Sequence, residues 1–232
     1  SAVVDADLDT RDDDLLRADA VGWWDAAAGL DAAGALPDLS GGGNAMALHP
    51  GALVPDGPAR LAPDPARGAN LFSPGWDDMY LDTPDPGPFD GLDVAWEGDL
   101  ERVLTIDPGQ PVDWVLHQGS TSAGTFGWAV GVHVATQRIV VAYSTNGVDA
   151  TTVVTGAEAE AGPGRTGVTL DPATGTVEVH RQDFGAAVGD FDLPYDRWET
   201  VATVPGSGPV DLFDSPAPVR HSSTVAADTI DG

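Results

Sequence analysis

Beyond residue 70, apolar and polar side chains alternate with a period of two. Trp128, Val130, Val132 and Val134 fall on one side of an extended segment, and Ala129, Gly131, His133 and Ala135 fall on the other. This spacing predicts a β-strand with one heavy apolar face, because successive side chains of a strand point to opposite sides. Thr136 and Gln137 separate it from a second alternating run, Ile139, Val141 and Tyr143, which ends in the turn Ser144-Thr145-Asn146-Gly147. Together the two runs predict a hairpin whose heavy faces share one core. The same grammar recurs in Gly167-Val168-Thr169-Leu170, the turn Asp171-Pro172-Ala173-Thr174-Gly175 and Thr176-Val177-Glu178-Val179.

The N-terminal part follows another pattern. Residues 1–19 are dense in aspartate, notably Asp12-Asp13-Asp14 ahead of Leu15-Leu16, and have little to bury. They predict an acidic arm or short helix at the margin of the domain, ordered only against a basic partner surface. Ala20 to Trp24 predict a short strand, and Pro37-Asp38-Leu39-Ser40-Gly41-Gly42-Gly43-Asn44 is turn chemistry. Residues 50–68 hold five of the nineteen prolines and predict a covering loop, since proline cannot donate to a ladder. No segment after residue 40 has a helical period. Short strands punctuated by Gly, Pro and Asn turns every ~8–12 residues predict an all-β, two-sheet antiparallel β-sandwich of jelly-roll form. It spans residues 20–222, between the acidic arm and a tail of residues 223–232.

Composition narrows the function classes. The chain has 232 residues, 42% of them hydrophobic, enough to bury a substantial core. Cysteine is absent, so neither disulfides nor thiolate chemistry contributes. Against 37 acidic residues stand ten basic ones, all arginine, for a net charge of −27. Nucleic acid is an unfavourable partner for such a chain, because phosphate binding needs a basic face. A saline host or a GC-rich coding sequence accounts for the same bias. There is no apolar run of about 18 residues, so no membrane insertion is expected. The Ser1 start fits removal of an initiator Met from a cytoplasmically made protein.

Three carboxylates at alternate positions, Glu97, Asp99 and Glu101, would share one face of a strand, where clustered acids can divide into nucleophile and general acid. This E-x-D-x-E spacing resembles the catalytic strand of laminarinase-like glycoside hydrolases, but Gly98 stands where that family has an apolar residue. The Trp-Pro-containing lead-in is also missing. The trio is expected to be a solvated strand face and the protein not an enzyme, so no catalytic residue is assigned. His49, His117, His133, His180 and His221 form no chelating pair, and zinc is not indicated. Gly119-Ser120-Thr121-Ser122 lacks the nucleophile elbow of serine hydrolases, and Gly41-Gly42-Gly43 lacks the basic residue and helix of a phosphate loop. Calcium is the one ion with candidate ligands, from Asp77, Asp78 and Asp82, or from Asp38 with Asn44. No cofactor is otherwise expected. Of the seven tryptophans, most are expected in the core, with one or two free to stack on sugar rings.

The order of the pieces carries a resemblance. Trp23-Trp24-Asp25 followed by Asp38-Leu39-Ser40-Gly41-Gly42-Gly43-Asn44 resembles the opening of laminin-G-like, concanavalin A-like domains. Met79-Tyr80-Leu81-Asp82-Thr83-Pro84-Asp85, Trp114-Val115-Leu116-His117-Gln118-Gly119 and Val141-Ala142-Tyr143-Ser144-Thr145-Asn146-Gly147 continue it, and Leu212-Phe213-Asp214-Ser215-Pro216-Ala217-Pro218 ends it. The progression is similar to laminin-G-like minor tail proteins of phages that infect actinobacteria. The resemblance implies a non-enzymatic virion structural protein, assembled in the host cytoplasm as a homo-oligomer, that contacts other virion proteins and a host-surface glycan. A capsid decoration protein on the same sandwich, or a carbohydrate-binding module, would carry a similar pattern.

Overall fold

The structure is a computed structural model that describes residues 20–24, 30–49, 60–64, 68–72, 80–83, 89, 91–97, 111–159, 164–183 and 199–222. All regular structure among them is β. The strands are β1 (Ala35–Leu36), β2 (Met46–His49), β3 (Arg60–Asp64), β4 (Gly68–Phe72), β5 (Tyr80–Asp82), β6 (Asp93–Glu97) and β7 (Val112–Gln118). They continue as β8 (Trp128–His133), β9 (Arg138–Tyr143), β10 (Thr151–Glu158), β11 (Gly164–Asp171), β12 (Thr176–Asp183), β13 (Glu199–Val204) and β14 (Val219–Ser222). The acidic arm and the C-terminal tail lie outside the described residues.

Eight strands form a large antiparallel sheet in the order β1-β2-β5-β14-β7-β8-β9-β10, and four form a smaller one in the order β13-β12-β11-β6. The last strand closes the large sheet from within, because β14 inserts between β5 and β7. The predicted hairpin is present: Trp128 opposes Tyr143, Val130 opposes Val141 and Val132 opposes Ile139. All six side chains are buried in one cluster with Val168, Leu170, Val177 and Val179 of the small sheet. The two sheets therefore pack face to face as a β-sandwich around a shared apolar layer. Each fully buried valine in that layer contributes about 1.5–3 kcal/mol over an exposed one.

The turns follow from their side chains. Between β11 and β12 the Asp171 carboxylate accepts from the Ala173 amide at 2.9 Å and the Thr174 hydroxyl at 2.7 Å. Gly175 then takes a positive φ of 70°. The Thr174 hydroxyl and the Ala173 amide hold the Asp171 pKa below its ordinary value. Between β8 and β9, Gln137 itself adopts a φ of 58°, and its side-chain amide donates to the Val134 carbonyl at 2.6 Å. That local bond compensates for the missing glycine.

Two expectations need correction. Ala20 to Trp24 do not form a strand: Trp24 makes only an isolated bridge to Asp38. The proline-rich stretch is not wholly a loop, because β3 runs through Pro63 and pairs with β4 as a separate two-stranded sheet. Proline is compatible with a strand that has a free edge. A further difference lies on the outer face of the large sheet, where the alternation predicts a lighter side. Ala129, Val140 and Ala142 are fully buried there with Trp114 and Phe126 in a second cluster.

Candidate functional site

Three polar residues of the large sheet line up on its outer face. Register places Ala47, Asp82, Arg220, His117 and Ala129 opposite one another on consecutive strands β2, β5, β14, β7 and β8. Cross-strand neighbours share a face, so Asp82, Arg220 and His117 form a polar row beside the second apolar cluster. Asp82 is the hub. Its Oδ1 lies 2.7 Å from His49 Nε2, and its Oδ2 lies 3.7 Å from Arg220 Nε. Asp82 is nearly buried, whereas the His49 side chain is 43% exposed, so the row opens to solvent at its β2 end. His117 is buried, with Nδ1 3.3 Å from the Gly119 carbonyl. The row brings a cationic group and imidazoles to one face, with Asp82 hydrogen-bonded to His49 and ion-paired at longer range with Arg220.

The core side of the same strands holds His221. Strand β7 carries one extra residue between Trp114 and Leu116, and the carbonyl of that residue, Val115, accepts from His221 Nδ1 at 2.8 Å. The ring is therefore the tautomer protonated on Nδ1. Some of its surface stays accessible, yet burial presses its pKa below the ordinary histidine value against the opposing pull of that hydrogen bond. His133 and His180 are held by threonines: His133 by Thr136, and His180 between Thr169 and Thr200.

The turn Pro37 to Asn44 is organised around one carboxylate. Asp38 Oδ1 accepts from the Trp23 amide at 3.0 Å, the Ser40 amide at 2.9 Å and the Ser40 hydroxyl at 2.7 Å. Its Oδ2 accepts from the Asn44 amide at 2.9 Å. Burial raises the Asp38 pKa, but the Ser40 hydroxyl and the three amides outweigh it, and the net shift is downward. The Asn44 side chain donates to the Val21 carbonyl at 2.9 Å, and the Asn44 backbone carbonyl accepts from Trp24 Nε1 at 2.8 Å. The calcium candidates Asp38 and Asn44 thus serve as the lock of a turn. Asp82, a third candidate, is engaged by His49 and Arg220, while Asp77 and Asp78 lie outside the described residues. No group of three or more His, Asp or Glu among the described residues is placed to hold a metal ion.

At one end of the sandwich three loops interlock. The Gln118 side-chain amide donates to the carbonyls of Ser215 at 3.4 Å and Ala217 at 3.2 Å. The Ser215 hydroxyl donates in turn to the Thr125 carbonyl. Ser144 accepts the Gly147 amide at 2.9 Å, and Asn146 Oδ1 accepts the amides of Val148 and Asp149, both at 2.9 Å. The Phe126 amide donates to Gly147 at 3.0 Å and the Phe213 amide to Ser144 at 2.9 Å, so residues 126 and 213 bracket the turn.

Of the carboxylate trio, Glu97 ends β6 with its backbone paired to Arg165. Its side chain, Asp99 and Glu101 lie outside the described residues. Trp114 and Trp128 are core residues, the latter donating from Nε1 to the Phe89 carbonyl at 3.2 Å. Trp24 packs its ring 6.2 Å from that of Phe89. The polar row was missed by the sequence reading: its members are 33 to 138 residues apart from Asp82 to His49 and Arg220, and only strand register brings them together. No protein-family model matches the chain, and no curated protein matches it at a significant level.

Proposed function

We propose that this chain is a non-enzymatic virion structural protein of the phage minor tail type, built on a concanavalin A-like jelly roll. The observation that carries this reading is where the resembling motifs fall. The D-L-S-G-G-G-N turn is locked by Asp38, and Gln118 of the Trp114 to Gly119 segment bonds the F-D-S-P-A-P segment near the chain's end. The motifs that suggest the family are thus the residues that close the fold. Interlocking of segments about 100 positions apart suits a protein whose work is to hold a shape against neighbours. Immunogold labelling of particles with an antibody raised to the chain tests this. Label on the tail supports the tail assignment, label on the head supports the capsid-decoration alternative, and unlabelled particles contradict both.

A glycan-binding role is the second reading, and the solvent-open end of the row, His49 and Arg220 beside Asp82, favours it. The part-exposed His49 and Arg220 side chains beside Asp82 offer sugar hydroxyls hydrogen-bonding groups where the row opens to solvent. Binding of host cell-wall polysaccharide that is lost in Arg220→Ala, without release of reducing ends, is the result expected.

A further inference from the structure

Each sheet ends on a strand whose outer edge has no partner among the described residues, β10 in the large sheet and β13 in the small one. The two edges pack side by side along one flank of the sandwich. Thr151, Thr152, Val154 and Gly156 of β10 are exposed, as are Thr200, Val201 and Thr203 of β13. Five large apolar side chains are exposed among the described residues, and three of them belong here: Val154 at 49%, Val201 at 41%, and Val148, just before β10, at 56%.

An open edge offers a row of amides and carbonyls to another strand, and proteins usually blunt it with lysine or other charges. This chain has no lysine, and neither Thr151 to Ala157 nor Thr200 to Val204 contains a charged residue. The blunting device present is a register shift between Val154 and Glu158, where the Thr155 hydroxyl donates to the Ile139 carbonyl at 2.9 Å. It interrupts the second half of the edge. The first half, Thr151 to Val154, stays in regular register with Tyr143 to Val140.

We propose that this neutral double edge docks a second copy of the chain, β10 against β10, antiparallel about a two-fold axis, so that the two large sheets continue across the contact. Electrostatics selects the occupant. Copies that each carry −27 repel wherever their acidic surfaces approach, and a charge-free strip is where they can meet at the least cost. A basic partner would instead be drawn to acidic surface. The antiparallel pairing is self-complementary, as an isologous interface requires. The four regular residues Thr151 to Val154 extend ~13 Å, and with the adjoining β13 edge, ~10 Å away in the stacked sheet, the footprint is a few hundred Å² per copy. That area is at the lower end for a specific interface, so the dimer forms in a concentration-dependent way. The inference is independent of the virion reading.

Sedimentation equilibrium of the full chain between about 1 and about 100 μM tests it. The expected result is a monomer–dimer equilibrium that tightens from ~0.05 to ~0.5 M NaCl, as salt screens the repulsion. Thr152→Glu combined with Val154→Glu should weaken it about 100-fold, whereas Ala173→Glu, the same charge at the exposed β11–β12 turn, should leave it within a few-fold. If the double variant does not fold, amide exchange of the wild type decides, since protection at residues 151–154 should rise with concentration. A monomer at the highest concentration in high salt, a dimer that the glutamates do not weaken, or concentration-independent exchange would overturn the proposal.

Discussion

His221 Nδ1 donates to the Val115 carbonyl at 2.8 Å, and Val115 is the residue that bulges out of the β7–β8 pairing. The bulge carbonyl is displaced from the ladder, and the imidazole satisfies it from the neighbouring strand β14. The pairing requires a proton on Nδ1 and is met by the neutral ring, so nothing is gained from a second proton in a site where burial disfavours charge.

The fold should therefore lose stability as this histidine is forced to ionise. Its folded pKa lies below the 6.5 of the free side chain, so the unfolded chain binds more protons between the two values. Stability is full above about pH 6.5 and declines as pH falls below it. Thermal melts from pH 7.5 to 5 should show the wild type losing more stability than His221→Gln, which keeps a donor but cannot titrate. Parallel curves would remove His221 as the cause.

Asp38 should matter in the opposite protonation state. Its lowered pKa means that the carboxylate form is the one that the turn binds, so its contribution is present above pH 3.8 and is lost as pH falls through the folded value. Asp38→Asn places an amide where the Asn44 amide or the Trp23 and Ser40 donors need an acceptor. At this partly exposed site the expected cost is about 1–2 kcal/mol. Urea denaturation measures it, and an unchanged midpoint would show that the four bonds contribute nothing net.

Gly147 should not tolerate a side chain. Its φ is 81°, and a Cβ would stand 2.6 Å from the Gly124 carbonyl oxygen and 2.8 Å from the Phe213 ring. Backbone strain and overpacking together predict a loss of about 3 kcal/mol for Gly147→Ala. Gly124→Ala, where only Val148 is within 4 Å at 3.8 Å, carries the strain without the clash and should cost less. Equal losses would contradict the packing of Phe213 on the turn.

The strongest sequence signal was the period-two pattern of Trp128 to Tyr143, and the structure keeps its pairing and its core face. Such a pattern reports burial on one side of a strand, so it could not foretell that Ala129, Val140 and Ala142 on the other side are also buried. Small residues look like a light face whether or not something lies over them. Strand β10, Thr151-Thr152-Val153-Val154-Thr155-Gly156-Ala157-Glu158, lacks clear alternation because it is an edge strand with a register shift, and it escaped prediction. The Asp38 turn was legible because Asx-type capping is local in sequence. The Asp82 row was not, because cross-strand neighbours are set by topology, which no local pattern encodes.

The central claim is that the chain works as a part of a particle. Its most direct test is quantitative mass spectrometry of gradient-purified particles from the source, with the chain's peptides measured against those of the major capsid protein. The expected result is that the chain co-sediments with intact particles at a fixed copy number that survives high-salt washing. Absence from purified particles, with the protein found free and releasing reducing ends from polysaccharide, would contradict it.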